Sequence, residues 1–160
     1  MGEHCRLPEA ESVAKLMTSL LGRAVNVKKG ATLLKPGNQA AVSLYACDAG
    51  TVRAGCLFNL SLAAQAGAAL SLIPKAMVEE SIQSGTLTES IVDNFREIGN
   101  ILSRLFNDSG APHVFLNGVY LPSEPLPEDV AGKIAHPASR LDLDVTVTGY
   151  GVGEMSVLIF

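Results

Sequence analysis

The sequence predicts an α+β fold: one antiparallel sheet covered by helices, with residues 1–160 forming a single domain. Three observations lead there. Residues 39–59 hold two runs of strand formers around the turn Asp48-Ala49-Gly50-Thr51, the pattern of an antiparallel hairpin. Residues 87–107 repeat apolar side chains at helical spacing along one face. Residues 141–160 carry two further strand patterns, and hairpins combined with segregated helices define the α+β class.

A chain of 160 residues buries roughly 70% of its unfolded surface, enough for a core that needs no disulfide or metal. Its 48% apolar and 18% charged composition is that of a folded protein. The net charge is −4 and the only adjacent basic pair of note is Lys28-Lys29, so no basic footprint for nucleic acid exists. The most apolar segment, Leu60 to Ile73, is interrupted by Gln65 and ends at Pro74, short of the roughly 18 residues a membrane span requires. The opening MGEHCRLPEAES has acidic residues and a proline where a signal peptide needs an apolar run, and Arg6 where a myristoylation signal needs Ser or Thr. The expectation is a soluble cytoplasmic protein.

Helix signals open at Pro8, continue through Val13, Leu16, Met17, Leu20 and Leu21, and stop at Gly22. A short strand over 24–28 and a loop at Lys35-Pro36-Gly37-Asn38 lead into the hairpin of 39–47 and 52–59. A turn centred on Ala49-Gly50 sets Cys47 opposite Val52 and Cys56 opposite Ser43, so these cysteines are out of register for a cross-strand disulfide. Cys5, Cys47 and Cys56, odd in number and without metal-type spacing, read as reduced structural thiols.

A second helix begins near Ser61, is small-faced through Ala66 to Ala69, and breaks at Pro74. A short helical piece over 75–82 precedes Thr86 and Glu89, spaced as a capping box for the long helix, which should run from Leu87 to Asn107 and stop at Asp108-Ser109-Gly110. Next come a strand over 113–121, an acidic proline-rich loop, a helical turn at 128–134 and two closing strands. Leu141, Leu143, Val145 and Val147 alternate with polar residues as on a half-buried strand, and residues 155–160 are apolar on both sides, as in a covered strand.

On the long helix, Ile91, Phe95, Ile98, Leu102, Leu105 and Phe106 share one side, while Asp93, Glu97, Asn100 and Arg104 project within about 60° on the other. A solvated face with no task is the ordinary explanation of such a row. Two details speak against it. Asp93 and Glu97 are like charges one helical turn apart, slightly destabilising, and Asn100 is a poor helix former at the centre of the presented face. Gly99, at the edge of the apolar stripe, costs roughly 1 kcal/mol relative to alanine; its missing side chain offers close approach to a second backbone or a partner.

The spacing Asp93-x-x-x-Glu97-x-x-Asn100 resembles the helix motif of the CheC/CheX/FliY phosphatases, which dephosphorylate the response regulator CheY. The context agrees: ESVAKLMTSLLGRAVNVKKG resembles the opening helix and strand of CheX, and a hairpin, a small-residue helix and the motif helix follow in that order. One motif copy makes the chain look CheX-like. The family's following proline falls one residue early, at Pro122, with Ser123 in its place, and bulky Arg104 follows the motif.

This resemblance implies a single CheX-like domain whose partner is a phosphorylated CheY-like receiver. Asn100 would orient the attacking water and Glu97 would pair with the receiver's lysine. Asp93 and Arg104 would be peripheral partner contacts, Arg104 either pairing with Glu97 or blocking the row. The receiver would supply Mg²⁺, with no cofactor on this chain, and a homodimer is implied. The alternative is a catalytically silent binding or scaffold module of the same family.

Other constellations point elsewhere than to a site. Gly149, Gly151 and Gly153 lie between strands rather than opening a helix, which suits a hairpin turn better than a phosphate cradle. His4, His113 and His136 are dispersed. The acidic stretch 122–129 reads as a solvated connection.

Overall fold

The computed structural model describes residues 5–35, 40–107 and 113–160. His4, the Pro36-Gly37-Asn38 loop and the helix stop at 108–110 fall outside them. Six strands form one sheet: β1 (Val25–Lys29), β2 (Ala40–Cys47), β3 (Val52–Asn59), β4 (Val114–Tyr120), β5 (Ser139–Val147) and β6 (Gly151–Ile159). Their order is β1-β5-β6-β3-β2-β4, and every adjacent pair is antiparallel. The helices are α1 (Ala10–Leu21), α2 (Leu60–Leu70), α3 (Lys75–Ser84), α4 (Glu89–Ile101) and α5 (Glu128–Ala135). This is the α+β architecture the sequence predicts.

The sheet separates two cores because strand side chains alternate. Ala41, Tyr45, Cys56, Phe58, Met155 and Val157 face one way and meet Met17 of α1, Leu62 of α2 and Phe95 and Ile98 of α4. Val42, Leu44, Leu57 and Leu158 face the other way and meet Val130 and Ile134 of α5. All of β2 is therefore buried, and β6 lies between β5 and β3. Its residues from Met155 to Ile159 are buried inside the monomer, as the sequence predicts for a covered strand. The true edges are β1, which carries Lys28 and Lys29, and β4.

Two local expectations shift. The N-cap of α4 is Thr88, whose Oγ1 accepts from Ile91 N–H at 3.3 Å, not Thr86. The helix ends at Ile101 and tightens into a 3₁₀ turn, Leu102–Leu105. In the β2–β3 hairpin Cys56 does face Ser43, but Val52 pairs with Ala46 rather than Cys47, because a bulge leaves Arg53 without an opposite residue. The three cysteines are free.

The close helix approach is at Gly67, not Gly99. A Cβ on Gly67 would lie 2.7 Å from the Ile91 carbonyl oxygen, where α4 crosses α2. Gly99 has more room: its nearest neighbour would be Val119 Cγ2 at 3.4 Å. Thermal unfolding should separate the two. Gly67→Ala is expected to destabilise by about 1–3 kcal/mol through overpacking against backbone, while Gly99→Ala is expected to be neutral or to gain up to about 1 kcal/mol of helix propensity. Equal effects would mean the crossing yields easily.

Candidate functional site

The candidate site is the outer face of α4, and its definition rests on how firmly the inner face is seated. Ile91, Phe95, Ile98, Leu102 and Phe106 are buried to 1% exposure or less, and Leu105 nearly so. Phe95 meets Phe58 edge-on with ring centres 4.9 Å apart, and Phe106 meets Tyr45 at 5.1 Å. Such aromatic pairs add orientation preference to burial. The roll of the helix is then fixed by hydrogen bonds. Asn94 Nδ2 donates to Gly67 O at 2.8 Å and to Ser71 Oγ at 2.6 Å, tying α4 to the end of α2.

The other tether lies at the level of the motif. Gly99 lies in the last turn of α4, where the helix tightens into the 3₁₀ turn. Tyr45, pointing from β2 into the core, donates its hydroxyl to Gly99 O at 2.6 Å, and Ser43 Oγ lies 3.0 Å from the same hydroxyl. Burial first, and then the neighbouring Cys56, hold the Tyr45 pKa well above its usual range, against the Ser43 hydrogen bond, so the phenol stays protonated as a donor. Ser103 Oγ donates to Asn100 O at 2.8 Å. Sequence reasoning missed the Tyr45 tether. Its signal is a tyrosine on the inward parity of a strand that is apolar but for Ser43, where a buried hydroxyl must find a partner.

With the inner face fixed, Asp93, Glu97 and Asn100 are all exposed on the outer one. Glu97 and Asn100, three residues apart, place their Cβ atoms about 5–6 Å from each other. Neither side chain makes a hydrogen bond or ion pair with another described residue. A carboxylate and an amide are thus held side by side on a rigid rod, both unspent.

Arg104 is exposed as well, but it belongs to the 3₁₀ turn, where residues advance by about 120° instead of 100°. It makes no ion pair with Glu97. Instead it lines a groove with Arg6, Lys15 and Leu16 beside α1. The expectation that Arg104 pairs with Glu97 therefore fails, because the helix changes pitch between them.

Pro122 and Ser123 sit in a shallow pocket with Gly85, Thr86 and Leu87, just before α4 begins and not beside Asn100. Ser123 adopts a left-handed φ of 78°. Gly149 lies in the β5–β6 turn, Gly151 opens β6 opposite Val147, and a Cβ on Gly153 would fall 2.5 Å from Leu62 Cβ, so these glycines serve the hairpin and the seat of α2. Among the described residues no group of three His, Cys, Asp or Glu side chains is placed to hold a metal, and no helix is long and apolar enough to cross a membrane.

No protein-family model matches the sequence, and no curated protein matches it. Solved structures do match in fold. FliM of H. pylori, in a complex with SpeE, superposes with a TM-score of 0.59 at 9% identity, over 94% of this chain and 80% of that one. FliY of Thermotoga maritima gives 0.51 at 12% identity, over 92% and 82%. A CheC-like superfamily protein of Shewanella sp. PV-4 gives 0.50 at 11% identity, over 94% and 93%. These likenesses do not single out CheX. They show that the chain shares the fold common to FliM, FliY and CheC-like proteins.

Proposed function

We propose that the chain is a CheC/CheX-type phosphatase that removes the aspartyl phosphate of a CheY-like receiver, using Glu97 and Asn100 on α4. The observation that carries this reading is the pairing of an exposed, unpartnered carboxylate and amide on a helix whose inner face is fixed by Phe95, Asn94 and Tyr45. In-line attack of water on an aspartyl phosphate needs little from a partner protein beyond position, because the receiver brings its own lysine and Mg²⁺. A rigid helix inserted into the receiver's site meets that need. Asn100 accepts a hydrogen bond from the water through its carbonyl oxygen and aims it. Glu97 pairs with the receiver's lysine and sets the register, with Asp93 a peripheral contact one turn earlier.

A second reading is a binding module without catalysis. It is favoured by the likeness to FliM, described in a complex with SpeE. Decay of a phosphorylated receiver distinguishes the two: added protein accelerates it under the first reading, and binds without accelerating it under the second.

Glu97→Ala should weaken association by about 1–3 kcal/mol if the pair is desolvated in the complex, read by titration of the receiver. Arg104→Ala should leave the decay rate within about threefold, since Arg104 lies off the row and a rim charge acts mainly on encounter. A large gain on its removal would restore the blocking role.

A further inference from the structure

The chain leaves α2 through a left-handed corner that the sequence fills with leucine. Ile73 N–H bonds to Ala68 O at 2.9 Å and Leu72 N–H bonds to Ala69 O at 3.3 Å. These are the paired bonds of a Schellman motif, whose corner residue takes a positive φ and is usually glycine. Two other helices follow that rule: α1 ends on Gly22 at φ 66° and α3 on Gly85 at φ 75°. At the end of α2 the corner residue is Leu72, at φ 60°, where a Cβ crowds the following carbonyl.

Nothing inside the monomer compensates for this strain. Leu72 is 71% exposed, the most exposed large apolar side chain among the described residues, and it packs against neither core, whereas the adjacent Ile73 packs against the larger one. A lone exposed leucine is ordinary. One held in strained backbone, where glycine would remove both the strain and the exposed apolar area, is not.

The corner is also fixed beside the α4 row. Ser71, next to Leu72, accepts from Asn94 Nδ2 at 2.6 Å, and Asn94 stands three residues, about 4.5 Å of helix rise, from Glu97. Met77 of α3, 45% exposed, borders the same end of α4 and lines a depression with Leu87 and Thr88. Two large apolar side chains thus flank the N-terminal half of α4. An interface of ordinary size covers about 800 Å² on each partner, on the order of 30 Å across, and a patch of that size centred on Glu97 extends to the α2–α3 turn. Asp93, Glu97 and Asn100 are polar, while the centre of a stable interface is apolar. The flank supplies the apolar surface that the row lacks.

We propose that Leu72 is the apolar anchor of the docking surface, held out from the α2–α3 turn to be buried against an apolar side chain of the CheY-like receiver, with Met77 at its edge. The inference rests on the reading of α4 as the face that enters the receiver. It assigns the two regions different work: Glu97 and Asn100 act within the receiver's site, and Leu72 secures the complex outside it.

The test measures receiver binding, the decay rate at saturation and the thermal midpoint for wild type, Leu72→Gly and Leu72→Met. Leu72→Gly should weaken binding by about tenfold or more, the loss expected at an anchor residue. It should leave the saturated decay rate within about twofold, because the contact is made equally before and during the reaction. Its thermal midpoint should rise by about 2–4 °C as the strain is removed. Leu72→Met keeps an apolar side chain of similar volume and should bind within about threefold of wild type. A leucine that served only the turn would not move stability and binding in opposite directions. Wild-type affinity in Leu72→Gly would overturn the anchor and leave the α4 reading standing. So would a lowered midpoint in that variant, since the side chain would then be serving the monomer. A wild-type protein that does not bind the receiver at all would overturn the α4 reading and the anchor with it.

Discussion

Phe95→Ala should destabilise the protein by about 3–5 kcal/mol, the range for removing a large aromatic side chain from a packed core. Phe95 is 0% exposed, meets Phe58 edge-on at 4.9 Å, and is among the largest fully buried side chains of the protein. Its loss removes transfer energy, leaves a cavity that α2 and the sheet are too constrained to close, and forfeits the aromatic pair. Against a total stability of about 5–15 kcal/mol for a domain of this kind, that is a large fraction. Urea unfolding followed by circular dichroism would read it as a lowered midpoint at unchanged slope. A loss below about 1 kcal/mol would mean that α4 is held by its hydrogen bonds rather than its apolar face. The site would then be less rigid than proposed.

The arrangement of the layers was legible in the sequence because two periodicities carry it. The alternation of Leu141, Leu143, Val145 and Val147 marks a strand with one dry face, and the stripe from Ile91 to Phe106 marks a helix lying on a sheet; both are as expected. What periodicity does not encode is where two backbones touch. Gly99 stands inside the motif, but the tight crossing is at Gly67, the one glycine of a helix so rich in alanine that it does not stand out. The bulge at Arg53 was equally hidden, since it depends on the pairing between strands rather than on the residues of either one.

The candidate site shows the same division. Which residues of α4 face outward follows from the helical period, and Asp93, Glu97 and Asn100 lie on the exposed face accordingly. Arg104 departs because the α-helix becomes a 3₁₀ turn after Ile101, a change in pitch that the spacing of apolar residues does not reveal. The Tyr45 to Gly99 hydrogen bond joins residues far apart in sequence, and only the folded sheet brings them together.

Asn100→Ala should lower the rate of receiver dephosphorylation by on the order of 100-fold or more while leaving fold and binding nearly intact. The asymmetry follows from where Asn100 sits. It is exposed and its side chain makes no hydrogen bond to another described residue, so removing it costs the folded state nothing, and alanine is the better helix former. In the proposed complex its amide is the group that aims the water, and loss of positioning falls on the transition state alone. Glu97→Ala would behave in the opposite way, losing affinity first.

The most direct measurement is the decay of a phosphorylated CheY-like receiver, followed with saturating wild-type protein and with saturating Asn100→Ala, with binding of each titrated in parallel. Fast decay is expected with wild type, decay close to the receiver's own rate with Asn100→Ala, and similar affinities for both. Equal acceleration by the two proteins would contradict it by removing Asn100 from the chemistry, and binding by wild type without any acceleration would leave the α4 face a docking surface only.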